Sequence, residues 1–97
     1  MIVNIVNFPN IKEGKDTEFR QWFKWSNSVF SKHKGFISRR LLKPTDGKGN
    51  YIAIVEYESM ETFRKTQKSK DHEEALSKVK PLFEGMPEPR FYEVVIE

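Results

Sequence analysis

Asn7, His33 and His72 are the side chains of this chain best suited to orient a reactant or move a proton, and Trp22, Phe23 and Trp25 form its densest group of rings. Asn7 falls in an apolar run. A buried amide left without partners costs about 1–3 kcal/mol, so it needs a defined role. Facing a pocket, it would hold a substrate carbonyl or an oxygen-derived intermediate. As a structural residue it would bond a loop or a neighbouring strand. Asn4 lies on the alternate face of the same run and is the weaker candidate. A neutral imidazole exchanges a proton near neutral pH or binds a metal through one ring nitrogen. His72 begins a segment expected to cover a pocket, which makes it the better catalytic candidate. His33 stands at a helix end, where dipole and carbonyl contacts account for it. Two separated histidines form no metal motif, and no metal site is expected.

Trp22 and Trp25 are three residues apart on one helical face, so with Phe23 they could wall a slot for a planar ring. The alternative is that they close a small core or a subunit contact. Arg39 and Arg40 point to opposite faces of a strand. One of them could reach an anionic substrate or pair with Glu56, the other alternative being a solvated edge. The basic stretch Arg64-Lys65-Thr66-Gln67-Lys68 is followed at once by Asp71, Glu73 and Glu74, the pattern of a solvated helix surface. No glycine-rich phosphate loop, serine-hydrolase elbow or paired-carboxylate motif is present.

Composition narrows the classes. The chain has 97 residues, the size of one domain. It has no cysteine, which removes disulfides, thiol catalysis and thiolate-held metal clusters. Its 17 basic and 14 acidic residues give a net charge of +3, a mixed balance that points to no nucleic-acid partner. No apolar run approaches the roughly 18 residues of a membrane span. The N-terminus reads as a strand and not as a secretory leader, so a cytoplasmic location is expected.

The elements that must position these residues follow from periodicity. Residues 2–8 alternate as a strand. Asp16 or Thr17 opens a helix whose stripe of Phe19, Phe23, Ser26 and Phe30 faces a core, with an end near Lys34-Gly35. Strands are expected over Phe36–Lys43 and Tyr51–Tyr57, joined by the glycine-rich loop 44–50. Ser59 caps a helix to about Lys68, and Ser69 starts another to about Val79. After an irregular, proline-rich connection, a last strand is expected over Phe91–Ile96. Both faces of the third strand are apolar. A helix layer on one side and a partner chain on the other would cover them. The order β-α-β-β-α-β is the ferredoxin-like pattern of an α+β domain, with the first and third strands central.

Three segments then carry a family resemblance: Lys34-Gly35-Phe36, Val55-Glu56-Tyr57-Glu58-Ser59-Met60-Glu61-Thr62-Phe63 and Lys68-Ser69-Lys70-Asp71-His72. Together they resemble the antibiotic biosynthesis monooxygenase superfamily over nearly the whole chain. The resemblance implies a dimeric α+β barrel with a cavity in each subunit. It also implies a homodimer that oxidises a small aromatic or quinol-like molecule with molecular oxygen and no cofactor, the substrate itself giving the first electron to oxygen. Asn7 and His72 would be the catalytic pair, with Trp22, Phe23, Trp25, Thr66 and Leu76 binding the substrate. A heme-degrading branch of the superfamily uses an Asn, a Trp and a proximal His. By position these fall on Asn7, near Thr66 and near Leu76. Thr cannot supply an indole wall and Leu cannot bind iron. The alternative reading is a noncatalytic dimer that binds a hydrophobic metabolite or is purely structural.

Overall fold

Alternation in Ile2-Val3-Asn4-Ile5-Val6-Asn7 gives the chain its first strand, and the computed structural model, which describes residues 1–97, places β1 at Ile2–Asn7. The helix α1 runs Asp16–Phe30 and buries Phe19, Phe23, Ser26 and Phe30, the stripe its periodicity predicts. It stops short of Lys34-Gly35. The Ser28 hydroxyl donates to the Trp25 carbonyl and Ser31 to that of Ser28, while Lys32 and His33 close tight turns onto Val29 and Phe30. These local bonds draw the backbone out of the helix.

Strands β2 (Phe36–Leu42) and β3 (Ile52–Tyr57) form a hairpin in which Arg39 opposes Val55 and Leu41 opposes Ala53. Gly35, at φ +87°, turns the chain into β2, and a Cβ there would run into the Thr62 side chain. Only glycine fits this approach. The helix α2 spans Met60–Gln67 under a reciprocal cap: Ser59 Oγ accepts from the Thr62 backbone N–H, and Thr62 Oγ1 accepts from that of Ser59. Helix α3 follows at Lys70–Val79, then a single 3-10 turn at Lys80–Leu82.

The last strand, β4, covers Glu88–Glu93 and not Phe91–Ile96. It is an edge strand, where Pro89 does not interrupt an interior ladder. Val95 and Ile96 lie beyond it, 86% and 87% exposed. All pairings are antiparallel and the order is β2-β3-β1-β4, with β1 and β3 central.

The sheet is open, with β2 and β4 as its edges. The expected dimeric α+β barrel is therefore corrected to an open four-stranded α+β sheet. Closure requires the edge strands to pair, with about eight strands around a filled interior. The three helices lie against one face, over a core of interlocked rings. Phe8 meets Phe19 edge-on at 5.1 Å and Phe83 at 5.8 Å. No helix is long and apolar enough to cross a membrane.

Candidate functional site

The space between sheet and helices holds a cavity of about 140 Å³. Its floor is the inward set of the two central strands: Asn4 and Val6 from β1, with Ala53, Val55 and Tyr57 from β3. Register explains the set, since Asn4 opposes Val55 and Val6 opposes Ala53. Trp22 and Phe30 come from α1, Phe63 and Thr66 from α2, His72 and Leu76 from α3. Phe63 stands in the wall, with its ring 5.3 Å from Tyr57 and 5.1 Å from Phe91.

One serine places two of the polar wall residues. Ser69 Oγ accepts from the His72 backbone N–H and donates to the Thr66 carbonyl. The end of α2 and the first turn of α3 are thereby locked together, and Thr66 and His72 share the cavity. Trp22 is fixed by its indole N–H, which donates to the Ala75 carbonyl at 2.9 Å. His33 is held elsewhere. Its Nε2 pairs with Asp71 Oδ2 at 2.8 Å, joining the turn after α1 to α3.

Among the polar residues bordering this largely apolar space, Asn4, His72 and Arg39 stand out. Asn4 is 4% exposed, and its Oδ1 is buried without a hydrogen-bond partner. Such an acceptor costs about 1–3 kcal/mol unless something donates to it. The His72 ring lies 6.1 Å from Phe30 and makes no protein hydrogen bond. Burial lowers its pKa, and the positive charge of Arg39 lowers it further, so the imidazole is neutral at physiological pH. Burial also pushes the Tyr57 phenol above its ordinary value.

The third group is Arg39. Its guanidinium carbon sits 4.1 Å from the Phe23 ring centre, 5.0 Å from Phe30 and 5.5 Å from Trp22. Nη1 donates to Ser26 Oγ at 2.6 Å and to Asn27 Oδ1 at 2.8 Å. Burial pushes its pKa down to about 10, which leaves it charged at neutral pH. Cation–π contacts return about 0.5–2 kcal/mol each. Removing a cation from water costs several kcal/mol. The rings offset part of that cost and leave part of it standing.

The residues singled out in the sequence divide between two places. His72, Trp22, Thr66 and Leu76 line the cavity. Phe23 is buried in the core beneath Arg39. Trp25 lies outside the cavity and packs under the Lys78 ammonium at 4.7 Å. Asn7 is exposed on the opposite face and borders a shallow polar depression with Pro44, Lys48 and Glu88. Asn4 and Arg39 are the cavity groups that sequence reasoning ranked low. A hairpin centred on Gly47 sets Arg39 opposite Val55, and that symmetry is a signal for Arg39. Leu76 lines the cavity wall, and its side chain has no atom that could bind a metal.

The family model described as antibiotic biosynthesis monooxygenase matches residues 1–78. Among solved structures, Rv0793 from Mycobacterium tuberculosis superposes with a TM-score of 0.85 at 16% identity, covering 99% of this chain and 96% of that one. SnoaB from Streptomyces nogalater, described as a cofactor-independent oxygenase, gives 0.79 at 19% identity over 99% of this chain and 92% of its own. A conserved protein from Methanosarcina mazei Go1 gives 0.80 at 15% over 95% and 91%. At these identities the likeness is one of fold. A search of curated proteins finds no match.

Proposed function

The chain belongs to the antibiotic biosynthesis monooxygenase family, and from that premise we propose that it is a small monooxygenase acting on an electron-rich, monocyclic aromatic of the quinol class with molecular oxygen. The observation that carries this reading is the cavity itself. It is apolar, ring-walled and about 140 Å³ in volume, bordered by Asn4, whose amide oxygen is buried without a partner, and by the His72 imidazole, whose pKa burial lowers. A dry cavity of about 150 Å³ suits one benzene ring, so the size favours a single ring over a fused polycycle.

In this reading Trp22, Phe63 and Leu76 hold the ring by apolar burial. His72 takes the proton from a ring hydroxyl, and Thr66 lines the path beside it. The amide role first considered for Asn7 passes to Asn4, because Asn4 is the one that borders the cavity. Its Oδ1 accepts from a substrate hydroxyl and its amide N–H group faces the oxygen-derived anion. The quinolate gives an electron to oxygen, and a ring C–H becomes C–O. One oxygen atom enters the product, now a hydroxyquinone, and the other leaves as water with two substrate hydrogens. The substrate supplies every electron, so the reaction calls for no flavin. SnoaB is described as working without a cofactor, which supports the same economy here.

We assign the open face of the sheet, where Val3, Ile5 and Ile54 project, to a second copy of the chain. A homodimer would shield it, and sedimentation measures that directly. The catalytic reading is tested by oxygen uptake with hydroquinone and its methylated forms. Uptake above the protein-free rate supports it, and uptake no faster than the control rejects it.

A further inference from the structure

Arg39 carries a charge with no acid to meet it. No Asp or Glu lines the cavity, and none of the ion pairs in the fold includes Arg39. Nη1 uses both of its donors on Ser26 and Asn27. The Nε and Nη2 donors make no hydrogen bond, although a guanidinium offers five in a fixed fork. The side chain is half-buried, borders the cavity and is stacked among Phe23, Phe30 and Trp22. Ser26, 0% exposed, and Asn27 hold the fork in place from α1. Asn27 also donates its amide to the Arg39 carbonyl, which fixes both ends of the residue. Arg39 is a firmly anchored cation on the wall of an apolar cavity with two nitrogens unengaged, the chemistry an anion requires.

We infer that the cavity takes its aromatic ligand as an anion, with a carboxylate or an ionised hydroxyl of the ring docked on the free Nε and Nη2 donors of Arg39. The inference rests on the aromatic reading of the cavity and adds the charge of the ligand to it. Arg39 is then a specificity-determining residue. It favours the ionised form of a ring hydroxyl and so helps His72 to remove the proton. The lowered pKa of Arg39 agrees with a charge awaiting a partner.

The test is binding, read from Trp22 fluorescence in a Trp25→Phe background, with benzoate and benzamide as probes of nearly one shape and different charge. Benzoate is expected to bind about 10-fold or more tighter than benzamide. The preference disappears in Arg39→Gln and persists in reduced form in Arg39→Lys. Equal binding of the two probes overturns the inference, and so does a preference that survives in Arg39→Gln. If Arg39→Gln fails to fold, the wild-type comparison and Arg39→Lys decide. A second readout is 4-nitrophenol, whose phenolate band should grow on binding below its solution pKa; binding without that band counts against the ionised hydroxyl. If neither benzoate nor benzamide binds, the inference falls together with the aromatic cavity. If benzoate is preferred but no quinol consumes oxygen, the catalytic reading falls and the anion site stands.

Discussion

Trp22 in α1 donates its indole N–H to the carbonyl of Ala75 in α3 at 2.9 Å, so one hydrogen bond clamps two of the three helices that roof the cavity. Trp22→Phe keeps an apolar ring and deletes the bond. It should lower stability by about 1 kcal/mol, which for a domain of this size is roughly 4–8 °C in Tm. The same variant should weaken benzoate binding, since the wall loses its anchor. Thermal melts with and without ligand check both effects.

Gly35 and Gly47 both sit at positive φ, at +87° and +73°, but in different surroundings. Gly47→Ala meets nothing within 4 Å and should cost only backbone strain, about 1 kcal/mol. In Gly35→Ala the new Cβ would drive into Thr62, which belongs to the α2 cap. Strain and overpacking together should cost about 2–5 kcal/mol. Urea denaturation of the pair separates the two contributions.

Asn4→Leu removes a buried acceptor that nothing satisfies. The free protein should be as stable as wild type, or more stable by up to about 1 kcal/mol. Turnover should fall at least about 10-fold, because catalysis loses a group that acts on the reacting oxygen. A variant that is both destabilised and fully active would show that the amide serves the fold alone.

His72 gives a pH dependence of defined sign. Its folded pKa lies below the ordinary 6.5, through burial first and Arg39 second. The unfolded chain therefore binds the proton more readily than the folded one. This contribution to stability is complete above about pH 6.5 and is lost as pH falls from there through the folded value. Arg39 from β2 is the charged group that depresses His72, while the neighbouring Asp71 is engaged by His33. Chemical denaturation across pH 4–8 should show this slope in wild type and a shallower one in His72→Gln.

Much of the fold follows from periodicity, as the buried stripe of α1 and the serine caps at Ser59 and Ser69 show. The site was less legible, for a physical reason. Ile2-Val3-Asn4-Ile5-Val6-Asn7 is apolar on both faces, so alternation says that Asn4 and Asn7 face opposite ways without saying which faces the helices. Pairing with β3 decides it, and that depends on residues about fifty positions away. The end of the chain misled for a related reason. Val94-Val95-Ile96 has strong strand character, but register with β1 places Pro89 opposite Val6 and ends the ladder at Glu93. The likeness in the middle of the chain identified the family, yet it carried the expectation of a closed barrel that the two sheet edges correct.

The most direct test of this account is turnover of hydroquinone and 2,5-dihydroxybenzoate under isotopically labelled dioxygen, with the product analysed by mass. One labelled oxygen atom is expected in the ring product, with faster reaction of the carboxylated substrate and labelling at least about 10-fold slower in Asn4→Leu. Protein that leaves both compounds unlabelled, or labels them no faster than buffer alone, would contradict it.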